Sequence, residues 1–151
     1  IKESNKMERL TVNVKMGILK RPHDVFHAII DPEKLAKYFV TTSNGKIEEG
    51  KSLIWTWDDY EAESTIQVEK VETNKIISFS WNGSGTDCLV VITLESIDQN
   101  TVVKITESSW PADFKGAKQC MGQIEGWTHF LCSLKAYLEY GINLREGGVI
   151  K

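Results

Sequence analysis

Between Arg9 and Leu19 the chain alternates. Leu10, Val12, Val14, Met16 and Ile18 fall on one parity, and Thr11, Asn13, Lys15 and Gly17 on the other. Period two predicts a strand with one buried face. Pro22 suits a first helical position, with Asp24 in the first turn and Val25, Phe26, Ile29 and Ile30 as an apolar stripe. Asp31-Pro32-Glu33 restarts a second short helix, with Leu35, Tyr38 and Phe39 as its apolar side. Strands follow with no helix between them. Leu53, Trp55 and Trp57 share one face, Thr65 to Val71 forms a strand, and Ile77, Phe79 and Trp81 share the next face. Cys88, Val90, Ile92 and Leu94 share another, and Val103, Ile105 and Glu107 another still. Turn signals at Asn44-Gly45, Glu49-Gly50, Asn74-Lys75, Asn82-Gly83-Ser84-Gly85 and Asp98-Gln99-Asn100 separate these runs and predict an antiparallel meander.

After Trp110-Pro111 the period changes. Ile124, Trp127, Leu131, Leu134 and Leu138 recur at three and four, with Cys120, Met121, Phe130 and Tyr137 nearby. This predicts one helix over about Phe114 to Tyr140, roughly 40 Å long at 1.5 Å per residue, stopped by Gly141. Helices segregated from an antiparallel sheet give an α+β class. About six to seven strands must bury an apolar face, and the long helix is the only large cover. The sheet is expected to curl around it.

Composition bounds the rest. A chain of 151 residues is read as a single domain over 1–151. With 41% apolar and 26% charged residues and three Pro, disorder and collagen-like repeats are excluded. No apolar run approaches the length of a membrane span. Eighteen Lys and Arg against twenty-one Asp and Glu give −3, which argues against nucleic acid as the main partner. Residues 1–20 show no secretory signal, so a cytoplasmic location is expected, and Asn82-Gly83-Ser84 reads as a turn rather than a glycosylation acceptor. Cys88, Cys120 and Cys132 form no C-x-x-C and read as small apolar side chains.

Several motifs now line up. Arg21-Pro22 through Val25-Phe26, Asp31-Pro32-Glu33-Lys34-Leu35 with Tyr38-Phe39, Phe79-Ser80-Trp81, and Gly126-Trp127 with Leu134 a heptad on occur in order on the elements just described. Together they resemble the START-related SRPBCC superfamily. The matching branch is the one named for homologues of the activator of the ninety-kilodalton heat-shock chaperone's ATPase. The resemblance covers about Arg9 to Tyr140 and implies a helix-grip fold with a cavity between curved sheet and long helix. Members of the wider superfamily bind lipids, hormones or polyketides there, and some are cyclases or dehydratases.

Against that frame the aromatic set is the main candidate. Trp55, Trp57, Phe79 and Trp81 lie at alternating sheet positions, Met121, Trp127 and Phe130 on the helix, and Phe39 and Trp110 near the expected cavity mouths. Aromatic rings wall a pocket for a flat or apolar ligand, and they fill cores equally well. Glu107 shares the inward parity of Val103 and Ile105, which makes it the candidate polar group and, for an enzyme, the candidate general acid. A solvated strand end is the alternative. His129 beside Trp127 and Phe130 faces either pocket or solvent. His23-Asp24-Val25-Phe26-His27 mimics a zinc-protease helix, but no third ligand is evident and two surface histidines are expected, with no metal and no cofactor. Asp58-Asp59 reads as a solvated turn. Three functions follow: binding of a small apolar or amphipathic molecule, a cyclase or dehydratase using the same cavity, and, from the family name alone, a module acting on a heat-shock chaperone. The first is the preferred expectation.

Overall fold

The computed structural model describes residues 8–148 and 150. The elements are β1 (Arg9–Ile18), α1 (Pro22–Ile30), α2 (Pro32–Leu35), β2 (Thr42–Ser43), β3 (Ser52–Trp57), β4 (Ala62–Glu72), β5 (Ile76–Trp81), β6 (Cys88–Ile97), β7 (Asn100–Pro111) and α3 (Phe114–Tyr140). The strands form one seven-stranded antiparallel sheet in the order β1-β7-β6-β5-β4-β3-β2. All joins from β2 to β7 are between neighbours. Only β1 crosses over, to pair with the last strand. This is the α+β helix-grip architecture.

The alternation along each strand decides which side meets the helix. Val12 and Ile18 of β1, Trp55 and Trp57 of β3, and Val103, Ile105 and Glu107 of β7 are all buried. α3 begins where Asp113 accepts a hydrogen bond from Gly116 N–H at 2.7 Å, a side-chain cap for an orphan donor. It ends at Gly141, whose φ of 68° lies in the left-handed region that glycine adopts without strain. Its backbone approaches β1 and β7 most closely, so large side chains must span the distance to β3–β5.

Three local features depart from the sequence pattern. The second short helix stops at Leu35, and Ala36–Phe39 continue as turn. The turn lets the adjacent Tyr38 and Phe39 both pack inward, where a helix would splay them by about 100°. Tyr38 is 1% exposed and donates its hydroxyl to Ala28 O at 3.0 Å. β2 is only two residues long, too short to show a period. In β7 the register slips opposite Leu10/Thr11, so that Thr11 faces Ser108 and Leu10 faces Trp110. One extra residue in the strand turns Trp110 to the buried face.

Candidate functional site

The inner surface over β3–β5 is built of rings. Phe39 meets Phe130 edge-on at 4.7 Å between centroids, and Trp55 and Trp57 at 5.6 and 5.5 Å. Trp127 on α3 lies 5.7 Å from Trp81 and 5.3 Å from Phe130. These are the offset and edge-to-face distances that aromatic rings prefer.

The rings do not close the interior. A cavity of about 210 Å³ remains between sheet and helix. Phe39, Trp57, Trp81, Trp127 and Phe130 line it. Gly83 lies under the Trp81 indole: a Cβ at that position would stand 2.7 Å from ring carbons. Gly126, at the exposed rim on α3, has open space where its Cβ would be.

The other predicted residues sit elsewhere. Trp55 (2% exposed) and Phe79 (0%) belong to the packed core behind the wall. Trp110 is also buried, its indole N–H donating to Ser84 Oγ at 3.0 Å. Met121 faces solvent at 63% exposure. It precedes Trp127 by six residues, which at about 100° per residue turns it some 120° away.

Glu107 is fully buried, as its parity implies, but it stands behind the wall and does not line the cavity. Its carboxylate accepts three hydrogen bonds. Trp127 Nε1 and Gln123 Nε2 donate to Oε1, each at 2.8 Å, and Trp81 Nε1 donates to Oε2 at 2.9 Å. All three donors line the cavity. Glu107 therefore pins two indoles and an amide of the wall from behind, so its role in the geometry is to position the wall. The solvated-end alternative for this residue does not hold.

The cavity also takes residues that sequence reasoning passed over: Tyr38, Tyr60, Gln123, Ser133 and Arg145. Arg145 comes from the chain beyond α3, in a polar, Gly-containing stretch with no periodicity to signal it. Its guanidinium lies over the Tyr60 ring at 5.3 Å and beside Asp59, Nη2 to Oδ2 2.8 Å. Tyr60 in turn stacks on Trp57 at 6.3 Å. Asp58–Tyr60 forms a short 3-10 turn, so the acidic pair sits in a turn as expected, with Asp59 also engaged by Arg145. His129 lines the cavity too and is half-buried.

Two cysteine thiols lie near Glu107, and neither is activated. Burial first, and then the nearby Glu107 carboxylate, push the Cys88 thiol up to about 11. The same two causes raise Cys120. Such thiols are inert. His23 and His27 do share a helix face, with ring centroids 4.4 Å apart and His23 exposed. No group of three or more His, Cys, Asp or Glu among the described residues could hold a metal ion. No helix among the described residues is long and apolar enough to cross a membrane.

Known proteins share this architecture. Protein SSP2350 from Staphylococcus saprophyticus is 34% identical, with 90% of this chain and 96% of that one covered at a TM-score of 0.80. DynU16, encoded in the dynemicin biosynthetic locus, is 25% identical over 87% of this chain and 48% of its own, with a TM-score of 0.77. The Aha1 dimer from Colwellia psychrerythraea, at 23% identity, has the same fold, with 87% and 98% covered and a TM-score of 0.76. No curated protein matches the chain. The sequence model of one family matches residues 21–139, and the chain belongs to that family, described as Activator of Hsp90 ATPase homolog 1-like protein.

Proposed function

We propose that the protein binds a small apolar or amphipathic molecule in the cavity between sheet and α3. The supporting observation is the wall itself: an aromatic-lined space whose two central indoles, Trp81 and Trp127, are held back from it by hydrogen bonds to one buried carboxylate. Preformed apolar pockets with few polar groups are the usual form of a small-molecule site. Size limits the occupant. An apolar cavity of roughly 150 Å³ accepts benzene, so about 210 Å³ fits one aromatic ring with a short arm.

The catalytic alternative loses its main support, because Glu107 offers no open face to a ligand and both its oxygens are engaged. Action on a chaperone rests on the family name, and no residue geometry favours it over the cavity.

Titration with neutral one-ring aromatic compounds tests the reading. Saturable quenching of tryptophan fluorescence is expected, since three of the five tryptophans line the cavity. A ligand at about 100 times its Kd stabilises by roughly 2.7 kcal/mol, which raises Tm by about 5–10 °C for a domain of this size. A flat fluorescence signal and an unmoved Tm throughout the millimolar range would sink the proposal.

A further inference from the structure

The cavity is not electrically symmetric. Among the described residues that line it, only Arg145 carries a fixed charge and none is acidic. Glu107 is the nearest carboxylate behind the wall, and its three donors come from the Gln123, Trp127 and Trp81 end. Arg145 sits at the other end. It shares a second, adjoining cavity with Tyr38 and Phe39, and Tyr38 packs on Phe130 and Tyr137 at 5.7 and 5.4 Å, about two to four turns further along α3 than Gln123. From Gln123 to Ser133 the helix rises about 15 Å. One end of the space is thus walled by indoles in front of a carboxylate, and the other carries Arg145, paired with Asp59 and bordered in the adjoining cavity by Asp58 and Glu146.

Two polar atoms at the Arg145 end have no hydrogen-bond partner among the described residues. Ser133 is 1% exposed, lines the cavity, and its Oγ has no hydrogen-bond partner among the described residues. Arg145 is nearly covered, at 13% side-chain exposure. Its Nη2 is close enough to Asp59 for an ion pair, yet it is not aligned for a hydrogen bond and has none among the described residues. Buried donors without partners are rare in folded proteins, and a guanidinium is shaped to grip a carboxylate with two parallel N–H groups. The Asp59 contact is not of that kind, since Asp59 Oδ1 is likewise without a hydrogen-bond partner among the described residues.

From this geometry we infer that the ligand is a small aromatic or apolar acid, its ring against the Trp127 and Trp81 wall and its single carboxylate at Arg145 and Ser133, displacing Asp59. This rests on the cavity reading above and narrows it to one charge type. Once Asp59 is displaced, a ligand carboxylate pairs with Arg145 and is kept away from the Glu107 end, so charge fixes the orientation of the ligand as well as its class.

The test compares 3-phenylpropanoate with 3-phenylpropan-1-ol, which share a ring and arm and differ in charge, by fluorescence titration and calorimetry. Wild type is expected to bind the acid at least about tenfold more tightly, the usual advantage of a charge-assisted contact. Arg145→Gln should remove the difference between the two compounds. Asp59→Asn, which deletes the competitor at a half-exposed turn and leaves the cation in place, should tighten the acid and not the alcohol. If the alcohol binds as well as the acid in wild type, or if Arg145→Gln keeps the preference, the charge assignment is overturned while the cavity reading stands. If neither compound saturates in the millimolar range, both readings fall together.

Discussion

Glu107→Gln is the most informative single substitution, because it keeps the shape and changes only the pattern of acceptors. The native carboxylate meets three donors, two on Oε1 and one on Oε2. A glutamine has one oxygen and one NH₂ to offer. With the oxygen toward Trp127 and Gln123, the NH₂ faces the Trp81 N–H. With the oxygen toward Trp81, Gln123 can flip to accept from the NH₂, but the Trp127 N–H then faces it. Either way one indole N–H is opposed by another donor at a side chain that is itself fully buried, at about 1–3 kcal/mol. Loss of a buried charge offsets part of that. The net expected loss is about 2 kcal/mol. Urea denaturation should show the midpoint falling by about 1 M at an m-value near 2 kcal/mol/M, with m unchanged, and Tm falling by about 4–8 °C. Glu107→Ala orphans all three donors and should cost at least about 4 kcal/mol, a large share of the stability of an ordinary domain.

A double-mutant cycle separates this account from simple loss of packing. Trp81→Phe removes the N–H that opposes the new amide, so Glu107→Gln should cost about 1–2 kcal/mol less in that background. A Glu107→Gln protein with the wild-type midpoint, or a strictly additive cycle, would refute the reasoning that Glu107 holds the wall through three accepted hydrogen bonds.

Other outcomes follow from the same geometry. Gly126→Ala should stabilise by about 0.5–1 kcal/mol, because the Cβ meets open space in mid-helix, whereas Gly126→Leu should fill the rim and abolish quenching by aromatic ligands; unchanged ligand titration in the leucine variant would count against this opening. The Glu139 carboxyl is held below its usual range. Burial opposes this, but Leu19 N–H at 2.8 Å and Lys135 Nζ at 2.7 Å outweigh it. A lowered folded value means stability present above the unfolded value and lost as pH falls through the folded one, so Glu139→Gln should be about 1 kcal/mol less stable at pH 7 and equal to wild type in strong acid; a gap that stays constant with pH would contradict it. Cys88, with its thiol pushed up to about 11, should resist iodoacetamide at pH 8 until the protein unfolds, which mass spectrometry of the labelled peptide would check.

Much of the scaffold was legible because its signals are local and periodic. The bounds of α3 match the expected Phe114–Tyr140, since the apolar recurrence, the capping Asp113 and the terminal Gly141 all act within a few residues. The inward parity of Glu107 was readable for the same reason. Its surroundings were not. Its partners lie 26, 16 and 20 residues away on a strand and a helix, and period alone does not say whether a buried carboxylate faces a cavity or sits behind one. Trp110 was expected at a cavity mouth and is buried, because a one-residue bulge breaks the alternation with no turn residue to mark it. Met121 was grouped with the helix aromatics by proximity in sequence, where the helical angle separates them. Arg145 and Tyr60 come from segments without periodicity, and only the folding of the chain past Gly141 back onto the 58–60 turn unites them with the wall.

An interior so rich in rings raises the question of why a space persists in it. By the measured cost of empty volume, roughly 24 cal/mol per Å³, a dry cavity of about 210 Å³ would cost ~5 kcal/mol, with less for one open to solvent. Collapse would recover that cost if the walls were free to move. They are tied instead. Trp57 Nε1 donates to Phe39 O at 2.9 Å, and Trp81 and Trp127 donate to Glu107. An indole that slid inward would leave its own N–H unpaired, together with the acceptor it abandoned, and for Trp81 and Trp127 that acceptor is a buried carboxylate. The loss for each ring is comparable to the gain from filling its share of the space. The tethers thus favour a wall that stays in place over a core that closes. A ligand of matching size would fill the volume without breaking any of them, which is why the geometry supports binding more strongly than the aromatic composition could alone.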